Sequence, residues 1–309
     1  MRCRKCSGKA IIRLPRHNTA FCPPCFSEYV TDQVARAIKG DRMFGHTEGV
    51  AVAVSGGKDS LVLWEILSRL GYRTLGLHID LGIGEYSRIS QRKVEAFAQA
   101  RNLPFVVHSL RETHGAGITE IAEGVHRPPC SACGVIKRYN MNVIASQHGM
   151  PVLATGHNLD DEASRLLGNV LHWQDDYLDK QSPVLPNSHP KLVRKVKPLY
   201  RLAEREIAAW AVLQKIDYIV DECPNSVGSK MFVYKDALNR LEDAAPGTKH
   251  QFYFQFLDRQ KARAQVSPLE PNLRECASCG QPSTAEICSY CKLVGTLQRE
   301  AEPALKVLT

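Results

Sequence analysis

Cysteine is the residue type in this chain that offers the most chemistry. There are 11 cysteines, and an odd number in a reducing compartment argues against structural disulfides. Four thiolates in two close pairs suit a closed tetrahedral zinc site, and segments this short have too few apolar residues to fold without metal. We therefore predict two zinc sites, with zinc favoured over iron by the ribbon-like spacing. Their ligands form one CxxC…CxxC set near each end of the chain: Cys3, Cys6, Cys22 and Cys25, then Cys276, Cys279, Cys288 and Cys291.

Three further cysteines, Cys130, Cys133 and Cys223, lie in the middle of the chain. Three thiolates can hold a [4Fe–4S] cluster through three irons, which leaves the fourth iron open to a non-protein ligand. They could instead be redox-active or persulfide-bearing nucleophiles that pick up and pass on sulfur. Ordinary core cysteines are a third interpretation. Pro128, Pro129 and a glycine flank the first two and predict a loop, which argues against that third interpretation.

A second set of candidate residues lies between a predicted strand and a predicted helix after residue 50. Gly56 and Gly57 let the backbone approach a phosphate, and the start of a helix offers free N–H groups and a positive dipole. Ser55, Lys58 and Ser60 add further donors. The GxxxxGK[ST] spacing of a Walker A loop is missing. This turn predicts an anion site of another kind.

The elements around this turn alternate between strand and helix. Residues 74–80, 105–110 and 152–155 read as further strands, and residues 87–102 read as a helix between two of them. Such alternation predicts an α/β fold with a parallel sheet flanked by helices. Ligands of these sheets bind at the carboxyl ends of the strands, so residues following different strands can share one pocket.

Several polar and glycine residues lie at those strand ends. Ile79 closes the second strand, and Gly156, after the fourth, would permit close backbone approach to a nucleotide. Asp160 and Asp161 could hold magnesium or manage a proton. Asn158 and Asp160 also suit the N-terminal cap of the next helix, whereas for Asp161 the functional interpretation is preferred.

Composition limits the class of protein. The 309 residues are 44% hydrophobic and 23% charged, as in globular proteins, and the net charge of +8 attracts polyanions such as nucleic acid. No run approaches the roughly 18 apolar residues of a membrane-spanning helix, and the N-terminus lacks a signal-peptide core. We expect a cytoplasmic protein with no membrane partner.

The motif at residues 55–60, SGGKDS, resembles the PP-loop of ATP pyrophosphatases, which cleave ATP between the α and β phosphates to adenylate a substrate oxygen. By that resemblance Asp59 belongs to a magnesium or phosphate site, although an acid is favoured at any helix start. CSACGVIKR, TGHNLDDEA and the ECPN around Cys223 follow in order, between the terminal cysteine quartets. Over essentially its whole length the chain resembles the TtcA/TtuA family of tRNA thiolases. It is most similar to the TtuA type, because the TtcA type lacks the terminal zinc modules.

The resemblance implies an adenine nucleotide alpha hydrolase-like fold and replacement of O2 of a tRNA pyrimidine by sulfur, with ATP and Mg²⁺. It also implies an oxygen-sensitive [4Fe–4S] cluster, a ubiquitin-like thiocarboxylate protein as sulfur donor, and T-loop ribothymidine as target. Relatives can have His as the fourth N-terminal zinc ligand, where this chain has Cys25, and either residue binds zinc. By this resemblance the catalytic residues are Lys137, one helical turn after Cys133, and Asp161. The cluster is held by Cys130, Cys133 and Cys223. The nucleotide is bound by Ala53, Ser55, Gly56, Gly57, Lys58, Asp59, Ser60, Ile79 and Gly156.

We predict three parts: a zinc finger at 1–29, a catalytic domain with a helical C-terminal part at 30–265, and a zinc ribbon with a tail at 266–309. Residues 174–198 are predicted to form a long connection rich in proline and basic residues. Residues 203–262 are predicted to be helical and 300–309 to be a tail. The connection and both zinc modules are candidate tRNA contacts.

Other functions stay open at this point. The same chemistry could modify an anticodon base, or sulfur could travel as a persulfide without a cluster. The three spare cysteines, and the lack of chain length for a glutaminase domain, argue against an amidating ATP pyrophosphatase. A zinc-ribbon RNA-binding protein without catalysis is a non-enzymatic alternative. A homodimer is also left open.

Overall fold

The computed structural model describes residues 1–264 and 273–300. The chain starts with an antiparallel hairpin of β1 (Ile12–Leu14) and β2 (Thr19–Phe21), which leads into helix α1 (Pro23–Gly40). Proline suits the first turn of a helix because its missing N–H would have no partner there. Phe26 and Val30, on the inward face of α1, are fully buried. The helix runs through the predicted boundary at residues 29 and 30.

A six-stranded sheet forms the centre of the protein. Its order is β5-β4-β3-β6-β8-β7, and all neighbouring pairs are parallel except β7 with β8. This arrangement confirms the predicted α/β fold. The strands are β3 (Val50–Ala53), β4 (Thr74–Asp80), β5 (Phe105–Ser109), β6 (Val152–Ala154), β7 (Val184–Leu185) and β8 (Arg194–Val196).

Helices cover both faces of this sheet, and the C-terminal cysteines are divided between a small hairpin and the start of the last described helix. The helices after α1 are α2 (Lys58–Arg69), α3 (Gly84–Arg101), α4 (Leu110–His114), α5 (Ile118–Gly124), α6 (Pro129–Gln147), α7 (Leu159–Leu171), α8 (Asp175–Leu178), α9 (Glu204–Leu213), α10 (Lys230–Ala244) and α11 (Thr248–Ala264). The last described elements are β9 (Arg274–Glu275), β10 (Pro282–Ser283) and α12 (Ser289–Glu300).

The core explains why the strands are continuous apolar runs. Val52 of β3 packs in one cluster with Trp64 of α2, whereas its neighbour Ala51 packs in the cluster on the other face with Ile136 of α6. A strand covered on both faces has no solvated side, so it does not alternate apolar and polar residues. Among the described residues, no helix is both long enough and apolar enough to cross a membrane.

Two sequence predictions are wrong in detail. Residues 174–198 are not simply a connection, because they contribute α8, β7 and β8, and β8 extends the parallel sheet beside β6. The basic residues of β8 obscured the strand; Arg194 donates to Met43 O and pairs with Glu48. The CxxC of Cys130 and Cys133 is not in a loop but forms the first turn of α6.

The predicted helical region at 203–262 contains α9, α10 and α11, with a non-helical stretch and a 3-10 turn, Pro224–Ser226, between the first two. The predicted tail, apart from residue 300, lies outside the described residues. The three-part division of the chain stays a prediction.

Candidate functional site

The glycine turn after β3 is fixed by contacts from two other segments. Gly56 has φ of +78°, and a Cβ there would lie 2.6 Å from Ser90 O, so a side chain cannot be accommodated. The hydroxyl of Ser90, on α3, donates to Ser55 O. The backbone N–H of Ile219 donates to Gly56 O at 3.0 Å. These contacts shape the turn before any ligand arrives.

The turn then leads directly into the N-terminus of α2. Gly57 is the N-cap, the Ser60 hydroxyl donates to Gly57 O at 2.9 Å, and Ser55 N–H donates to Ser60 Oγ at 3.1 Å. The first N–H groups of a helix have no partner within the helix and carry partial positive charge. The arrangement suits a bound phosphate.

Gly156, in the turn after β6, packs against this first turn of α2. A Cβ on Gly156 would lie 2.9 Å from both the carbonyl carbon of Asp59 and the nitrogen of Ser60. The glycine thus permits a close approach between two backbone segments of the protein. Ala53 and Ile79 lie near the carboxyl ends of the adjacent strands β3 and β4, on the same edge of the sheet.

A chain of charged contacts begins at Lys58. Its ammonium lies 2.6 Å from Glu204 Oε1 and 3.1 Å from Asp59 Oδ2. Burial raises the pKa of Asp59, although Lys58 acts in the opposite direction. Burial would also raise the pKa of Glu204, but bonds from Lys235 and Lys58 outweigh it and lower that pKa to about 2. Glu204 is therefore a carboxylate at neutral pH.

The contacts close into a ring on the other side. The Lys235 ammonium lies 2.8 Å from Glu204 Oε2 and 2.8 Å from Asp161 Oδ1. Asp161 and Asn158 exchange two bonds of 3.1 Å at the N-terminus of α7, and Asn158 Nδ2 donates to Asp59 Oδ1 at 3.1 Å. Three carboxylates and two ammoniums thus surround the start of α2, with one negative charge in excess.

Asp160 lies beside this ring but has a structural role. It is 4% exposed, forms an ion pair with Lys249 of α11, and accepts the backbone N–H of Glu204 at 2.8 Å. Both of its oxygens are occupied. Of the acidic pair considered for magnesium, Asp161 is therefore the one whose carboxylate faces the glycine turn through Asn158 and Asp59.

The three mid-chain cysteines come together at the start of α6. Cys130 Sγ donates to Asn225 O at 3.2 Å, two residues after Cys223. Burial raises the pKa of the Cys133 thiol, and the thiols of Cys223 and Cys130 raise that pKa further, so the three thiols are within electrostatic range of one another. The trio is not among the described groups whose ligand atoms all lie within 4.8 Å of one another.

Lys137 interacts electrostatically with one of the cysteines and with a residue of the sheet. Burial raises the pKa of Cys133, while the Lys137 ammonium opposes that rise. The pKa of His78 is lowered, first by burial and in part by the charge of Lys137. His78 is on β4, and its Nδ1 lies 2.8 Å from Val54 O, directly before the glycine turn. Lys137 is therefore close to both halves of the site.

The terminal cysteines form two compact sets. In each set the four Sγ atoms lie within 4.8 Å of one another, as predicted for tetrahedral metal sites. The N-terminal hairpin is tied to the rest of the protein by Arg16, which pairs with Glu206 of α9 at 3.0 Å. At the other end, the ring of Tyr290 stacks on Tyr139 of α6 at 3.6 Å between centroids.

Glu204 and Lys235 are the ring members that sequence reasoning missed. Neither belongs to a recognisable motif, and each reaches the glycine turn only through the packing of α9 and α10. A charged residue at the start of a helix or within an amphipathic helix is usually solvated, so no signal in the sequence distinguishes these two.

The chain is similar to known proteins. A family model described as "PP-loop domain" matches residues 28–228, and one described as "2-thiouridine synthetase TtuA, N-terminal LIM domain" matches residues 2–27. The chain is 45% identical over 302 residues to a tRNA-5-methyluridine(54) 2-sulfurtransferase of Thermus thermophilus, covering 98% of this chain and 94% of that protein. The corresponding Thermotoga maritima protein is 43% identical over 295 residues, with 95% and 96% covered.

A solved structure is also similar. The U34-tRNA thiolase NcsA from Methanococcus maripaludis with its [4Fe–4S] cluster superposes with a TM-score of 0.83 at 27% identity, and 96% of each chain is covered.

Proposed function

Since the chain belongs to the TtuA family of PP-loop tRNA 2-sulfurtransferases, we propose that it replaces the C2 carbonyl oxygen of uridine 54 in tRNA by sulfur, using ATP. Two relatives at 45% and 43% identity are named for 5-methyluridine 54, whereas the U34 thiolase is 27% identical. This ranking favours the T-loop base over the anticodon base.

The observation that carries the proposal is the contact between the Cys223 segment and the glycine turn. Ile219 N–H donates to Gly56 O at 3.0 Å, and Cys223 follows four residues later. Carbonyl activation and sulfur delivery are separable tasks, but both must act on one carbon atom. The short chain between the two contacts supports a shared pocket.

Activation is needed because a pyrimidine carbonyl oxygen is a poor leaving group. In the proposed reaction O2 of the base attacks the α-phosphorus of ATP, the bond to the β-phosphate oxygen breaks, and pyrophosphate leaves. The sulfur nucleophile then attacks C2, and the C2–O bond breaks so that the oxygen departs within AMP. The glycine turn and the start of α2 would hold the pyrophosphate half.

The mid-chain cysteines fit a [4Fe–4S] cluster by their chemistry. Three thiolates each bound to a different iron must stand farther apart than zinc ligands, in agreement with the looser grouping of Cys130, Cys133 and Cys223. When bound, such a cluster has one iron without a protein ligand, which can hold a sulfur anion at neutral pH. The open alternative is that the same thiols carry the sulfur as a persulfide.

We assign catalytic roles to two residues of the chain. Lys137, beside Cys133, would stabilise negative charge on the incoming sulfur. Asp161, fixed by Asn158 and paired with Lys235, would hold magnesium or accept a proton beside the adenylated base. The compact cysteine quartets would hold two Zn²⁺. The protein would act in the cytoplasm, with tRNA and a ubiquitin-like thiocarboxylate protein as its partners.

Three cations grouped around Arg138 support a tRNA partner. Arg138, Arg165 and Lys195 have no carboxylate within 4.0 Å among the described residues. Burial lowers the pKa of Lys195, and the charge of Arg138 lowers it further. Cations gathered without counter-charges attract phosphates, so we propose that this group contacts the RNA backbone.

The proposal is tested with protein prepared without oxygen and tRNA that lacks the thionucleoside. Mass spectrometry of nucleosides should show 2-thio-5-methyluridine at position 54 only when ATP and a sulfur donor are present. Cys223→Ala should lose the brown colour of the cluster and should form no thionucleoside, while it retains both zinc ions. Ser131→Ala, within the CxxC, is the matched control and should keep the colour and the product. Thiolation at an anticodon base would refute the assignment of uridine 54 as the target. Unchanged iron content in Cys223→Ala would refute the assignment of Cys223 as a cluster ligand.

A further inference from the structure

The carboxylate of Glu204 is held by two lysine ammoniums, one at each oxygen. One oxygen binds the Lys58 ammonium at 2.6 Å and the other binds the Lys235 ammonium at 2.8 Å. Lys58 begins α2, directly after the glycine turn, whereas Lys235 lies on α10, beyond the residues 28–228 that match the PP-loop domain. Two lysines from separate elements thus clamp one small anion at the predicted phosphate site.

The same clamp suits a phosphoryl group, whose oxygens accept bonds from two ammoniums in the same manner. We propose that Lys235 is a second pyrophosphate-binding cation that acts with Lys58, and that Glu204 is a resident anion which the pyrophosphate group of the nucleotide displaces. This inference rests on the proposed function, because it assigns residues to the pyrophosphate half of the ATP site.

Charge balance supports displacement of Glu204 over simple addition of a ligand. The ring formed by Lys58, Asp59, Asp161, Glu204 and Lys235 already has one negative charge in excess. A pyrophosphate group placed beside an intact ring would meet three carboxylates and two lysines that are fully engaged. Departure of one carboxylate removes like-charge repulsion and frees two ammoniums in a single movement.

The surroundings of Glu204 allow such a movement. Its side chain is 33% exposed and is part of the lining of a cavity of about 410 Å³. The other lining residues include both cations, Lys58 and Lys249, and acids such as Glu242. Lys235 would not lose its position when Glu204 leaves, because Asp161 Oδ1 still holds its ammonium at 2.8 Å. The two lysines can therefore exchange one anion for another while Lys235 keeps its position.

Isothermal titration of the full-length zinc-containing protein with inorganic pyrophosphate, at fixed Mg²⁺, tests the inference. Lys235→Gln should weaken pyrophosphate binding at least tenfold, because one clamping cation is lost. Glu204→Gln should tighten binding threefold or more, because the competing anion is lost. Arg240→Gln, an exposed position on the same helix that pairs with Asp236, is the matched control and should change binding less than twofold.

The opposite signs distinguish a displaced anion from a structural brace. If Glu204 only positioned the lysines, its replacement would weaken binding as the replacement of Lys235 does, and that outcome would overturn the assignment of Glu204. Unchanged affinity in Lys235→Gln, with the variant folded by circular dichroism, would overturn the assignment of Lys235. Titration requires neither tRNA nor sulfur, so opposite shifts in a protein that fails to thiolate uridine 54 would refute the proposed function and leave this inference standing.

Discussion

Replacement of Gly156 by alanine tests whether the turn after β6 must touch the start of α2. The added Cβ would lie 2.9 Å from the Asp59 carbonyl carbon and 3.1 Å from its oxygen. Both atoms belong to backbone, so they cannot rotate away as a flexible side chain would. Either α2 or the turn that carries Asn158 must shift, and the 3.1 Å bond between Asn158 and Asp59 is then lost.

The cost follows from the size of such a clash. Extra methyl groups forced into packed regions typically cost about 1–3 kcal/mol. If the strain appears in the folded state, the free energy of unfolding falls by that amount. If it is relieved by movement of the turn, ATP binding loses a similar amount, which corresponds to about 5- to 150-fold in the dissociation constant.

Chemical denaturation and ATP titration of Gly156→Ala measure both quantities. Gly40→Ala is the matched control, because a Cβ on Gly40, the last residue of α1, has no neighbour within 4 Å. Alanine there should be neutral or stabilising by up to about 1 kcal/mol. Wild-type stability together with wild-type ATP affinity in Gly156→Ala would refute the reasoning.

Four shorter predictions concern other parts of the molecule. Cys25→His should retain two zinc ions per chain by elemental analysis, whereas Cys25→Ala should lose one, since His remains a zinc ligand. Arg16→Met should lower the free energy of unfolding, measured with denaturant, by about 3–5 kcal/mol, because the carboxylate of Glu206, which is 3% exposed, loses its cationic partner. A loss below about 1 kcal/mol would contradict this. Arg138→Gln should reduce the slope of log tRNA affinity against log salt by about 1, and an unchanged slope would exclude a phosphate contact. The folded-state pKa of Glu204 is lowered from 4.5 to about 2, so the stability that its carboxylate contributes should be complete above pH 4.5 and lost as the pH falls toward 2. The free energy of unfolding of the wild type should therefore fall relative to that of Glu204→Gln on acidification. A rise would contradict the lowered pKa.

The sequence predicted those parts of the site whose geometry is local. The cysteine quartets depend on spacing within short knuckles, and the phosphate turn depends on six consecutive residues between a strand and a helix. Both could be identified without tertiary contacts. Cys223 was assigned to the site only from resemblance, and the contact of Ile219 with Gly56 brings the segment four residues before Cys223 to the glycine turn.

The remaining parts depend on packing that no local pattern encodes. Strand β8 was missed because Arg194 and Lys195 lie in a short, proline-flanked segment, and the contacts of Arg194 with Met43 O and Glu48 form only when the chain folds. Lys235 is one of several cations on an amphipathic helix, and only the packing of α10 against α7 selects it. The assignment of Gly156 to nucleotide contact stays a prediction, and its close approach to the backbone of Asp59 and Ser60 is a contact that no local pattern indicated.

Oxygen tracing separates carbonyl activation from other routes to a thionucleoside. A T-arm RNA with ¹⁸O at C2 of uridine 54 is incubated without dioxygen with the protein, ATP, Mg²⁺ and a sulfur donor, and the AMP is analysed by mass spectrometry. We expect one ¹⁸O atom in AMP for each thionucleoside formed and none in pyrophosphate. Thiolated RNA accompanied by unlabelled AMP would show that the oxygen does not leave as an adenylate, and would contradict the proposed activation at the glycine turn.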